Sequence, residues 1–299
     1  ASPLPAASQP PLDLLNGRWE ERAPMLSARS EMVAVALGGL IYVPGGFGGQ
    51  QTLEVYDPAG DAWQRLADMP AARHHLMAAA HGGLLYVFGG AEGALWRPAA
   101  SAWAYDPAGD AWRELAPMPE ARVAGAAVAL GDYLYVVGGV GGTPELLRYD
   151  PAADGWARLA ALSQPREHTA AVVLEGEIYA LGGRWAGDGE LASVEIYAPA
   201  ADAWRPGPPF NTPRGGFAAA VLADAVLVAG GEVILTGQEA LASVEVYSAA
   251  AGGWQFGPPL PVGLHGVPAA AVGDAIYVLG GSDQPAAADN RGRTLVYLP

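Results

Sequence analysis

In the stretch QPREHTAAV, residues 164 to 172, Arg166, Glu167 and His168 stand side by side. A guanidinium, a carboxylate and an imidazole together can hold an anion and pass a proton, the working parts of general acid–base chemistry. Elsewhere the chain offers Glu31, the pair His74 and His75, and His265. It has no cysteine, and all 16 of its basic residues are arginine. Thiol nucleophiles, thiolate metal sites, disulfides, Schiff bases and Walker-type lysines are therefore excluded. No G-x-S-x-G elbow, H-E-x-x-H pair or EF-hand loop occurs.

Groups so far apart in sequence act together only if the fold collects them, and the spacing of the aromatic residues shows which fold that is. Trp19, Trp63, Trp112, Trp156, Trp204 and Trp254 are 44, 49, 44, 48 and 50 residues apart, and a Gly-Gly pair follows each one 26 residues later. Tyr56, Tyr105, Tyr149, Tyr197 and Tyr247 each stand seven residues before a tryptophan. Each glycine pair ends a run such as IYVPGG, LYVFGG or IYALGG, too short for a helix and rich in β-branched and aromatic residues, so the runs are buried strands. A second apolar segment precedes each run across a tight turn, and two more strands end in Tyr and begin at Trp. Four strands in about 45 residues make one blade of a β-propeller. The expected fold is all-β, with six blades of four antiparallel strands, a to d.

These landmarks, as in VVGGVGGTPELLRYDPAADGWARLAALSQPRE, resemble the kelch repeat over residues 19 to 299. The resemblance implies a single six-bladed kelch propeller over residues 17–299, preceded by a Pro/Ala-rich spacer over 1–16. Tyr297 has no tryptophan seven residues on, and Trp19 has no tyrosine upstream. The strand around Trp19 is therefore expected to complete the last blade and close the ring, leaving no free edge.

In such a blade the b–c loops share one face with the d–a connections. The c–d turns, YDPAGDAW and its variants, keep one length and look like scaffold. The segments from the glycine pair to the next tyrosine hold 9, 14, 9, 13, 15 and 15 residues, so length variation, and with it binding, is expected in the b–c loops. Ligand contacts are expected there from Trp96, Arg97, Arg184, Trp185 and Glu232. Ten residues after five of the tryptophans come Arg29, Arg73, Arg122, Arg166 and Arg214, read first as blade-to-blade ties and second as an anion-binding rim.

Two residues further on stand Glu31, His75, Ala124, His168, Gly216 and Gly266, a set that is not repeated. Period-2 alternation places it towards the channel and Glu167 on the opposite side; a register shift of one would select His74, Glu167 and His265 instead. Kelch propellers that bind peptides imply contacts from these positions and from the residue after each glycine pair, here including Phe47, Arg184, Glu232 and Ser282.

With 16 basic and 31 acidic residues the net charge is -15, which disfavours nucleic acid and anionic membranes. No apolar run is long enough to span a bilayer. The N-terminal composition suggests an exported protein, and the Ala/Arg bias without lysine a bacterial one. Galactose oxidase, a kelch-type copper enzyme, needs a tyrosine–cysteine cross-link that this chain cannot form. The iron-binding loop motif of nitrile-specifier proteins is missing. Glu31, His75 and His168 could make a facial metal triad, but they would come from three blades, and no metal or cofactor is expected. The leading expectation is a binding module that presents its b–c face and channel mouth to a protein, peptide or glycan. The alternative is a cofactor-free acid–base enzyme on a sugar acid, resembling the sialic acid mutarotases. In it Glu31, His75 and His168 transfer the proton, and Arg184 or a rim arginine clamps the carboxylate.

Overall fold

The computed structural model describes residues 13–93, 96–234, 237–285 and 289–299. Six four-stranded antiparallel sheets form the blades, the first built from Val35–Leu37, Leu40–Pro44, Leu53–Asp57 and Ala62–Leu66. Strand a of each blade neighbours strand a of the next, and the sixth returns to the first, so the six a strands line a central channel. In the last blade Ala269–Val272, Ala275–Leu279 and Thr294–Leu298 are completed by Arg18–Glu21, with Trp19 opposite Tyr297. Ring closure by the N-terminal strand is thus as expected. Of the segment read as a spacer, residues 1–12 lie outside the described part. Leu14 is buried, and its carbonyl accepts a hydrogen bond from the Tyr297 hydroxyl.

The landmark residues lock blade to blade. Trp63, Trp112, Trp156 and Trp204 donate their indole N–H to the carbonyls of Ala23, Ala67, Ala116 and Ala160 in the preceding blade. Asp61, Asp110, Asp154 and Asp202 accept the N–H of those same alanines and the hydroxyl proton of their own blade's tyrosine. Each clamp therefore holds one alanine by both of its backbone groups. The second glycine of every pair donates to the carbonyl of the arginine slot one blade on, as Gly46 does to Arg73 at 3.0 Å, and Leu264 serves in the sixth case. Gly45 takes φ of 61°, and a Cβ there would lie 2.5 Å from the Arg73 carbonyl, so only glycine fits.

The arginine side chains correct both sequence readings. Arg29, Arg122, Arg166 and Arg214 have no solvent exposure, so they form no rim for ligands. Their guanidinium groups tie down their own blade's b–c loop: Arg166 donates to Gly182 and Ser193 carbonyls at 2.8 and 2.9 Å, and Arg214 to Gly230 and Ser243 at 2.7 and 3.0 Å. The blade-to-blade bond at this slot is made by the backbone carbonyl, which explains why leucine can occupy it. Buried carboxylates two residues before the tyrosines, Glu54, Glu195 and Glu245, neutralise Arg29, Arg166 and Arg214. Trp103 replaces that carboxylate in the second blade, and Arg73 lies over its ring at 5.4 Å, nearly buried.

In the third blade the carboxylate comes from Glu120, which pairs with Arg122 and Arg158. Burial works to raise Glu120, but the two arginines outweigh it and hold it down at about 2. A depressed carboxyl contributes stability above its unfolded value that is lost as pH falls towards the folded one. Between pH 4.5 and 2 the wild type is expected to lose urea resistance more steeply than Glu120→Gln, the difference amounting to about 2 kcal/mol. Parallel slopes in the two proteins would contradict this.

Candidate functional site at the channel mouth

At the loop-face end of the channel the six positions two residues after the arginine slot form a closed backbone ring. His75 donates its N–H to Glu31, Ala124 to His75, His168 to Ala124, Gly216 to His168, Gly266 to Gly216 and Glu31 back to Gly266, at 2.7 to 3.0 Å. All six have a left-handed backbone, with φ from 47° at His168 to 62° at Gly216. Glycine pays nothing for this, whereas Glu31, His75, Ala124 and His168 are strained, a condition that structures maintain at working sites. Ala124→Gly is expected to stabilise the protein by about 0.5–1 kcal/mol, and Gly266→Ala, whose Cβ would lie 2.6 Å from Glu31 Oε1, to destabilise it, both read from urea midpoints.

The left-handed turn also decides where the side chains go. Alternation predicts that Glu167 and His168 diverge, but it holds only for extended backbone. Here Glu167 meets His168 Nδ1 directly and accepts from Arg184 Nε at 2.7 Å. The two registers weighed in the sequence therefore belong to one site. The residues just before the ring, Ser30, His74, Val123, Glu167, Gly215 and His265, bridge to Phe47, Ala91, Val140, Arg184, Glu232 and Ser282 after the glycine pairs.

Glu31, His75 and His168 converge from three blades. His75 Nε2 lies 3.1 Å from Glu31 Oε2 and 3.1 Å from His168 Nε2, and the third separation is 3.9 Å. His265 Nδ1 stands 3.5 Å from Glu31 and 3.3 Å from Glu232, while its Nε2 faces the Gln284 carbonyl. Arg184 reaches Glu232 at 2.7 Å and His168 Nε2 at 3.0 Å. Phe47 stacks on His74 at 4.1 Å, and Trp96, the most exposed aromatic of the cluster, covers His75 at 4.1 Å. A cavity of ≈ 80 Å³ opens at the ring, room for a few water molecules, over a floor that includes Met32, Leu76, Phe217 and Val267.

Burial would raise Glu31, but His75, His265 and His168 hold it well below the usual carboxylate range. Burial pushes His75 down to about 4 against the pull of Glu31, so it is neutral at pH 7. Burial also works against the charge of His265, but Glu31 and Glu232 prevail and raise it. Three carboxylates, Glu31, Glu167 and Glu232, face the single guanidinium of Arg184 at the mouth.

Other expected contacts are elsewhere. Arg97 is exposed on the hairpin Ala91–Glu92/Arg97–Pro98, and Trp185, on Arg184–Trp185/Gly189–Glu190, turns to a crevice beside Leu162 and Pro165. Ser282 is buried and bonded within its own loop to Gln284. Arg184 is at the site but already held by two carboxylates, unlike the free clamp the sequence suggested.

A ring of six four-stranded blades with Gly-Gly, Tyr and Trp landmarks defines a six-bladed β-propeller. The kelch motif matches residues 28–70, 72–119 and 165–211, three of the six blades of this propeller. The solved structure of YjhT aligns over 91% of this chain and 96% of its own with a TM-score of 0.80; at 16% identity it shows the shared fold alone. None of the curated proteins compared matches the sequence significantly.

Proposed function

We propose that the protein takes a small hydroxylated molecule of the sugar class at the loop-face mouth of its channel, and that proton transfer on that ligand is the chemistry the mouth supports. The convergence of Glu31, His75 and His168 within 4 Å, beside the rings of Trp96 and Phe47, carries this reading. Aromatic faces suit the apolar side of a sugar ring, and an ionised carboxylate beside a neutral imidazole is an acid–base pair. Interconversion of anomers requires no more: one group takes the proton of the anomeric hydroxyl while another gives one to the ring oxygen as the ring C–O bond opens, and the reverse transfer closes it. The three carboxylates and the engaged Arg184 favour a neutral or amine-bearing sugar over a sugar acid. A thermal-shift panel of neutral sugars, amino sugars and sugar acids tests this. A shift is expected with one of the first two classes and is expected to be lost in both Glu31→Gln and Trp96→Ala. No shift with any class, or shifts unchanged in both variants, would refute it.

The broader reading is a module for a protein, peptide or glycan partner. Its support is that Trp96 and Val140, at 41% and 39% exposure, stand on this same face. Peptide binding lost in Trp96→Ala and retained in Glu31→Gln would favour it.

A further inference from the structure

The hydrogen-bond partners around the mouth settle where the imidazole protons sit. The Gly93 carbonyl can only accept, so His74 Nε2, 3.1 Å away, carries a proton. His74 Nδ1 is then a bare lone pair, and His75 Nδ1, 2.5 Å from it, must donate. That leaves His75 Nε2 without a proton. On the other side Glu167 accepts from His168 Nδ1, which leaves His168 Nε2 bare as well. Two unprotonated nitrogens and the Glu31 Oε2 oxygen thus point at one another at 3.1, 3.1 and 3.9 Å. Arg184 lends one N–H to His168 Nε2, while His75 Nε2 and Glu31 Oε2 face each other at 3.1 Å. Three facing electron pairs in a nearly buried site repel unless a cation sits among them.

We infer that Glu31, His75 and His168 hold a divalent first-row transition metal. A metal about 2.1 Å from each donor needs donor separations of about 3.0 Å in an octahedral site and about 3.4 Å in a tetrahedral one, close to those observed. Two imidazoles and a carboxylate, with no thiolate, suit zinc or iron(II) and leave coordination positions open towards the mouth. Glu167 on His168 Nδ1 and His74 on His75 Nδ1 are the outer partners that fix ring orientation in such centres. The carboxylates gathered at the mouth favour a cation. Metal entry displaces only the Arg184 contact to His168, while Arg184 keeps Glu167 and Glu232.

This inference rests on the mouth being the working site and names what the three groups hold there: the ligand's oxygen would bind the metal rather than the protein directly. The test is titration of EDTA-stripped protein with zinc by calorimetry and with cobalt(II) by visible absorption. One metal per chain is expected. Binding is expected to be abolished in His75→Ala and His168→Ala, weakened about 10–100-fold in Glu167→Gln, and unchanged in His81→Ala, a histidine at the far end of the second blade's inner strand, Met77–His81. Circular dichroism confirms that each variant is folded. If both alanine variants fold poorly, Glu167→Gln and His81→Ala decide: equal affinity in the two would overturn the inference. So would the absence of binding by the wild type, in which case a proton takes the cation's place. Repeating the sugar panel in EDTA separates the two proposals, because a sugar shift that persists without metal sustains the ligand site and removes the metal from it.

Discussion

A chain shortened to begin at Arg22 is expected to lose its cooperative unfolding transition and to aggregate. Arg18–Glu21 supplies the outer strand of the last blade, pairing Arg18 with Leu298 through Glu21 with Leu295. Its removal uncovers a buried edge, Thr294–Leu298, whose free N–H and C=O groups can recruit other chains. It also removes the Trp19 ring, 4.9 Å from Tyr297, the Trp19 N–H bond to the Pro258 carbonyl, and Leu14 from the core shared by the last two blades. Each of these two side chains is worth about 2 kcal/mol of burial and each lost hydrogen bond about 1 kcal/mol, which together approach the 5–15 kcal/mol that holds a typical domain folded. Dye binding to exposed apolar surface and size-exclusion chromatography read the outcome. Moving residues 13–21 to follow Pro299 should restore a sharp transition, because closure depends on which strands pair and not on which terminus supplies them. A shortened chain that unfolds as cooperatively as the wild type would show that the ring does not need this closure.

The second large effect is expected at a buried ion pair. Arg214 and Glu245 both have no exposure and meet at 2.7 Å, and Glu245 also accepts from the N–H groups of Asn211 and Thr212. Glu245→Ala leaves a guanidinium uncompensated in the interior and two loop amides without an acceptor, at a cost of about 3–5 kcal/mol. The double variant Arg214→Met with Glu245→Leu is expected to recover much of that, since removing both charges also removes the desolvation penalty. Chemical denaturation of the three proteins measures both quantities. A single variant within about 0.5 kcal/mol of wild type would contradict the reading of these pairs as the anchors of the b–c loops. The loops carry the site, so the same substitution is expected to disorder Glu232 and with it the Arg184 and His265 contacts.

Much of this architecture was legible because a propeller repeats. Six tryptophans, six glycine pairs and the tyrosine offset define the blades, and the orphan Trp19 and Tyr297 define the closure. The clamp aspartates five residues after the tyrosines and the buried glutamates two residues before them recur at constant offsets too, so the signal for them was present in the same rows. The arginine slot was recognisable as scaffold, although its direction was misassigned: the tie between blades is a backbone carbonyl, and backbone bonds leave no residue signature.

The composition of the working site was legible as types and not as geometry. Glu31, His75 and His168 stood out because their slot varies while its neighbours repeat. Whether they meet depended on six blades turning about one axis, which brings His75 and His168, 93 residues apart, to 3.1 Å. Only the tertiary structure placed Glu167 with them, because the left-handed ring that sterics disfavour for non-glycine residues breaks the alternation on which sequence reasoning relies. It also showed Arg184 already paired, since charge compensation depends on which loops face each other across the mouth. Local periodicity determined the blades of this protein, and the closure of the ring decided what its side chains can do.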